Sequence, residues 1–218
     1  MNDIDEVPMT MVDNNSFPGS NSPAIDRIYR ALASVDRRRT LCTVREQAPI
    51  LREDLPEKAS ERGSQTSGLL EMNSRHTALA LHHRHIPSLE ETRLITETSD
   101  GFVPTEHRLW DTGAFIDVIE SEDPDMDAVL ACLADPIRRE IATVGERDAG
   151  THARNELARV VAGRMPGGHT PENVEVKLHH HHLPDMDADG VIDYDIENRQ
   201  VTYTGHPYVP RALELVGT

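Results

Sequence analysis

One stretch of this chain occurs twice, and that recurrence limits the fold more than any composition figure. Leu178-His179-His180-His181-His182-Leu183-Pro184-Asp185-Met186 runs on through Gly190-Val191-Ile192. Its counterpart is Leu81-His82-His83-Arg84-His85-Ile86-Pro87-Ser88-Leu89, running on through Arg93-Leu94-Ile95. Both read apolar, two histidines, one variable residue, histidine, apolar, proline, then two variable positions to another apolar residue. A pattern of this length marks two copies of one unit, so the 218 residues divide into two small domains. We place the repeats at 24–104 and 128–209, with an acidic tail at 1–23, an acidic linker at 105–127 and a C-terminal tail at 210–218. The structural signature is His82, His83, His85 and Pro87 in one copy and His179, His180, His182 and Pro184 in the other.

The formal net charge is -16, from 22 basic and 38 acidic residues, and its distribution matters more than its sum. Residues 1–23 carry four acids and no base, and 111–127 carry seven acids and no base. Residues 24–110 balance 13 acids with 13 bases, so the first repeat is neutral and its surface has room for a basic side. Only two lysines occur, Lys58 and Lys177, the other bases being arginine. Cys42 and Cys132 stand alone, which argues against a disulfide framework or zinc ribbon. No apolar run reaches the length of a membrane span, and the start is acidic where a signal peptide is basic and then apolar. A soluble, cytoplasmic protein is the expectation.

Along the first repeat, Ile25, Ile28, Tyr29 and Leu32 have helical spacing, and a second helix follows with Asp36 as its N-cap and Thr40, Leu41 and Val44 facing inward. In the second repeat Val129, Leu130 and Leu133 form the first helix, and Asp135-Pro136 opens the next. Arg38-Arg39 lines up with Arg138-Arg139, with one residue of slippage upstream. A third helix is capped by Thr151 and carries Ala153, Leu157, Val160 and Val161 before Gly163; its first-copy equivalent, with Leu51, Leu55 and Ala59, is interrupted at Pro56 and followed by a loop at Gly63–Gly68.

The fourth element is the signature. Val174 to Leu178 alternates like a strand, whereas Ala78 and Ala80 in the other copy favour helix. As helices, the copies place Leu79, His82, Ile86 and Leu89, or Val176, His179, Leu183 and Met186, on one apolar stripe, and the internal proline predicts a kink. A hairpin follows in each copy, over Val191–Tyr194 and Val201–Thr204 in the second and over Leu94–Thr96 and Phe102–Val103 in the first, where Pro104 ends the returning strand. The connector holds order around Leu109-Trp110 and Phe115 to Ile119, and Leu213 to Leu215 docks as a partial turn.

Leu133-Ala134-Asp135-Pro136-Ile137-Arg138-Arg139-Glu140-Ile141 is similar to the opening of ArsR-type winged-helix repressors, and His182-Leu183-Pro184-Asp185-Met186 through Gly190-Val191-Ile192 resembles the end of their recognition helix and its entry into the wing. The histidine-proline variant, with the acid-rich and lysine-poor composition, resembles a group of uncharacterised haloarchaeal proteins built from this domain. The resemblance implies a mainly α fold with small β-hairpins, arranged as two tandem winged helix-turn-helix domains. It also implies a DNA-binding transcriptional regulator in which the two repeats act as an intrachain pseudo-dimer on double-stranded DNA. Ser34-Val35 in place of the Asp-Pro cap, Arg93 in place of Gly190, and Pro104 mark the first copy as the more divergent.

On that reading Arg84, Lys177 and His181 face base edges or phosphates from the fourth helices. Arg199 reaches a phosphate from the wing, and Arg37, Arg38, Arg39, Arg138 and Arg139 meet the backbone. In molar salt the Debye length falls to ~3 Å, so long-range repulsion from an acidic chain fades, and recognition rests on short-range contacts. The alternative is a winged-helix protein-interaction module, alone or as a homo-oligomer, because Glu172 and Glu175 crowd the groove-facing surface. A metal-responsive sensor built on the histidines ranks third, since no cysteine lies near them. No catalytic motif and no cofactor-binding motif is present, so an enzyme is not expected.

Overall fold

The computed structural model describes residues 22–62 and 81–216. The acidic tail, the loop after the third helix, and Ala78, Leu79 and Ala80 lie outside the described residues, as does the side chain of His82. The chain is mainly helical, with two small antiparallel sheets. No helix among the described residues is long and apolar enough to cross a membrane.

Helix α1 is Pro23–Leu32 and α2 is Val35–Gln47. Helix α3, Leu55–Glu61, has Pro56 in its first turn, so this proline starts a helix where an interruption was expected. The signature then forms a π-helical turn, Leu81–His85, and helix α4, Ile86–Glu91. Strands β1, Ile95–Thr98, and β2, Gly101–Pro104, make the first hairpin, with Ile95 opposite Pro104. The connector is folded. A 3-10 turn, Arg108–Asp111, leads to helix α5, Gly113–Glu120, which buries Phe115, Val118 and Ile119.

The second repeat follows the same order. Helix α6 is Pro124–Leu133 and α7 is Pro136–Arg147; strand β3, Thr151–Ala153, precedes α8, Arg154–Arg164. Thr151 is therefore the first residue of a strand and not a helix cap, and Gly163 lies inside α8. Helix α9, Pro171–Lys177, a π-helical turn, Leu178–His182, and α10, Leu183–Ala188, form the fourth element. Strands β4, Ile192–Asp195, and β5, Gln200–Tyr203, complete a sheet of order β3-β5-β4. The final helix α11 is Val209–Glu214, longer than the partial turn expected there.

Local correspondences between the copies are close. Thr105 and Thr204 each send their hydroxyl to the two carbonyls that open the hairpin, of Arg93 and Leu94 or of Gly190 and Val191. Ile50 and Phe102 exchange backbone hydrogen bonds of 3.1 and 2.8 Å, a single bridge where the second repeat has the β3-β5 ladder. Arg93 takes φ 60, close to the φ 71 of Gly190, so the substitution leaves the backbone path intact at the cost of left-handed strain.

Buried apolar residues of both repeats form one core. Two reciprocal ion pairs cross it. Arg38, 0% exposed, reaches Asp127 at the start of the other repeat, and Arg139, 2% exposed, reaches Asp26 at 2.5 Å. Each guanidinium also donates to a carbonyl of the preceding helix, Arg38 to Leu32 at 2.8 Å and Arg139 to Leu133 at 2.7 Å. The structure thus equates Arg38 with Arg139, so the expected pairing of Arg38-Arg39 with Arg138-Arg139 is shifted by one residue and no slip separates the first helices from the arginines. Asp127 also accepts from the backbone N–H of Val35 at 3.3 Å, capping α2 from the other repeat where Ser34 makes no side-chain cap and Asp36, the expected N-cap, lies inside the helix. In α7 the expected cap is present, Asp135 accepting from Ile137 and Arg138 at 2.8 and 3.2 Å.

Asp26→Ala strips the buried Arg139 of this carboxylate and is expected to lower the unfolding free energy by about 3–5 kcal/mol. Removing the exposed Arg52–Glu97 pair through Glu97→Ala changes it by less than about 1 kcal/mol. Urea unfolding of the two variants checks the contrast. Gly190→Ala forces a Cβ onto a left-handed backbone and costs about 1–2 kcal/mol by the same measurement.

Candidate functional site

The fourth element of the second repeat begins at Thr170, whose hydroxyl accepts from the Asn173 N–H at 3.3 Å. Val174, Leu178, Leu183 and Met186 enter the core, while Val176, expected there, is 59% exposed. The π-turn is the cause. The Leu183 N–H bonds back to the Leu178 carbonyl, one residue further than in an α-helix, and this wider turn makes room for the ring of Pro184. The apolar stripe therefore changes phase midway. Asn173, Val176, Lys177, His180 and His181 face solvent together.

This helix is fastened to the hairpin by a chain of hydrogen bonds. Arg154, at the start of α8, donates to Glu175 at 3.0 and 3.2 Å and to the Tyr194 hydroxyl at 2.9 Å. The same hydroxyl lies 2.8 Å from Nδ1 of His179. The Arg154 N–H donates to the Arg199 carbonyl at 2.9 Å, tying the β4–β5 turn into the network. His179, expected among core residues, is half-buried at the edge of this cluster. Partial burial, then the charges of Arg154, His180 and Arg199, push its pKa below the ordinary 6.5.

The predicted basic residues divide by environment. Arg38 and Arg139 are buried and engaged within the molecule, which corrects their assignment to phosphate contact. Arg37 donates to the carbonyls of Ala31 and Arg30, both at 2.5 Å, and burial followed by the nearby Arg84 lowers its pKa. Arg39 pairs with Glu122 and Asp36, and Arg138 with Asp185 at 2.7 Å. Arg84, Lys177, His181 and Arg199 are exposed, and among the described residues no salt bridge engages Lys177 or Arg199.

The signature histidines divide too. His83 and His180 are exposed, whereas His182 is 9% exposed and His85 is half-buried, each with a buried Nδ1 that makes no hydrogen bond among the described residues. Pro87 and Pro184 both lie in the first turn of the short helix after the π-turn. Among the described residues no group of three or more His, Cys, Asp or Glu side chains is placed to hold a metal ion. Arg154 and Asn173 were not singled out from sequence, Val176 was placed on the core stripe, and Tyr194 was read only as part of a strand. For Tyr194 a signal was present, because the alternation of the hairpin strand turns it inward beside Ile192.

Residues 130–202 match a family described as a domain of unknown function (DUF7344). The match runs from within α6 to within β5 and does not reach the first repeat. No curated protein and no solved structure matches the chain.

Tyr194→Phe deletes the hydroxyl shared by Arg154 and His179 while keeping the ring. The expected loss is about 1–2 kcal/mol with the fold retained, read by thermal unfolding alongside circular dichroism.

Proposed function

We propose that the protein is a double-stranded DNA-binding transcriptional regulator built from two winged helix-turn-helix repeats held as an intrachain pseudo-dimer. The observation that carries this reading is the solvent face of the fourth element in the second repeat. Asn173, Val176, Lys177, His180 and His181 lie on it, and the wing turn beside the same network carries Arg199. Lys177 and Arg199, like the exposed Arg27, Arg30, Arg84, Arg147 and Arg159, are engaged by no salt bridge among the described residues. An asparagine amide suits the hydrogen-bonding edge of adenine, an aliphatic side chain suits a thymine methyl, and lysine suits guanine or phosphate. The network through Arg154 and Tyr194 holds that face rigidly, so little ordering entropy is lost on binding. In the first repeat His83 and Arg84 occupy the corresponding exposed positions.

A protein-interaction role is the second reading, and one observation favours it. Val176 on the fourth element and Ile196 in the β4–β5 turn are 59% and 58% exposed, among the few large apolar side chains left in solvent. A protein partner with a hydrophobic contact would cover them.

The test is retention of duplex DNA by the full chain in potassium chloride, comparing the parent with a Lys177→Glu, His181→Glu variant and an Arg84→Glu, His181→Glu variant. Each lost base contact weakens binding by about 1–3 kcal/mol, so both variants are expected to lose tenfold or more while their circular dichroism is unchanged. Equal retention by parent and variants removes these faces from the mechanism. No retention by the parent, with a protein co-purifying through Val176, establishes the second reading.

A further inference from the structure

The repeated histidine whose Nδ1 is buried in each signature has no part in the exposed face, and its surroundings point to a separate role. His182 sits at the end of the π-turn, under the outer surface, with its ring against the start of α7. Its Nδ1 is 3.7 Å from Oδ1 of Asp135, too far for a hydrogen bond, and has no other partner. The same Asp135 oxygen is already occupied in capping α7 through Ile137 and Arg138. Arg138, held by Asp185, adds a positive charge at the ring, as does Lys177 from the ring's own element, and His181 is its other titratable neighbour there. The neutral ring is tolerated there, but a charged ring is desolvated among cations, with one capping carboxylate to offset them. His85 repeats the situation. Its Nδ1 is buried and unpartnered, and it faces Arg37, Arg84 and Asp36.

We propose that His182, and His85 in the first repeat, are proton-released latches: the neutral ring holds the fourth element on the start of the second helix, and protonation frees it. Two features support the proposal beyond the burial. The arrangement occurs in both copies, although their neighbouring residues differ. The histidine also lies on the π-turn, where the backbone already departs from regular helix. Burial, outweighing the opposing pull of Asp135 on His182 and of Asp36 on His85, places both rings below the ordinary 6.5. With proton affinity lowered on folding, the closed form is favoured above pH 6.5 and loses stability as the pH falls below it. The latch acts whether the exposed face binds DNA or protein, so its test does not require either ligand.

The experiment is amide hydrogen exchange of the full chain between pH 7.5 and 5, corrected for the intrinsic pH dependence of exchange, together with an NMR titration of the His182 ring. Residues 178–188 are expected to exchange faster by up to about tenfold per pH unit below 6.5, before α6 and α7 respond. His182→Asn, whose side-chain amide can donate toward Asp135 and does not titrate, is expected to abolish that acceleration. A His182 ring that titrates at its ordinary value overturns the latch, as does an acid response that persists in His182→Asn. Should that variant fail to fold, the ring titration and exchange of the parent chain decide alone.

Discussion

The two reciprocal arginine–aspartate pairs are the constraint on which the rest of the structure depends. A guanidinium with no exposed surface has to find several acceptors, because leaving even one N–H unsatisfied in the interior costs more than a hydrogen bond gains at the surface. Arg38 meets that demand with the Leu32 carbonyl, the Ser121 carbonyl at 2.9 and 3.2 Å, and Asp127. Two of these three acceptors lie beyond the first hairpin. The first repeat cannot satisfy its own buried arginine, so the connector must fold and the second repeat must dock. Tyr29 adds to the seam: its hydroxyl donates to the Ala212 carbonyl at 2.7 Å, and the Arg139 guanidinium lies 5.2 Å from its ring centroid.

The acidity of residues 111–127 follows from the same constraint. Asp117 pairs with Arg211, Glu120 with Arg45, Glu122 with Arg39, and Asp127 with Arg38, while Asp123 accepts from Tyr208 at 2.6 Å. A segment that reads as an acidic linker is instead a row of partners for Arg38, Arg39 and Arg45 of the first repeat and Arg211 of α11. Of these, the pair of the fully buried Arg38 with Asp127 does most to fix how the repeats sit against each other, the exposed pairs adding little, and with that it sets the positions of the fourth elements whose outer faces we assign to binding.

How much of this was legible follows from the range over which each signal acts. The four helices at the starts of the repeats were readable because caps and apolar spacing are local: Ile25, Ile28, Tyr29 and Leu32 are buried as their spacing implies, and Asp135 caps α7. The hairpins were readable from alternation and turn residues. The fourth element was misphased because a constant 100° per residue cannot represent a π-turn, and one extra residue per turn moved Val176 from core to solvent. Thr151 was misread because its strand exists only through pairing with β5, some fifty residues away. The roles of Arg38 and Arg139 were hidden for a related reason. A run of arginines at a helix start looks the same whether its partners are phosphates or aspartates from another part of the chain, and only the docking of the repeats distinguishes them. The exposed candidates Arg84, Lys177, His181 and Arg199 were legible because a solvent face needs no distant partner.

The most direct measurement is selection from a pool of random-sequence DNA duplexes by the intact chain in molar potassium chloride, followed by sequencing of the retained fraction. Two rigidly coupled repeats, each presenting its fourth element, predict enrichment of a bipartite motif with fixed spacing between its halves. A retained fraction with the composition of the starting pool, from protein shown to be folded, contradicts the account.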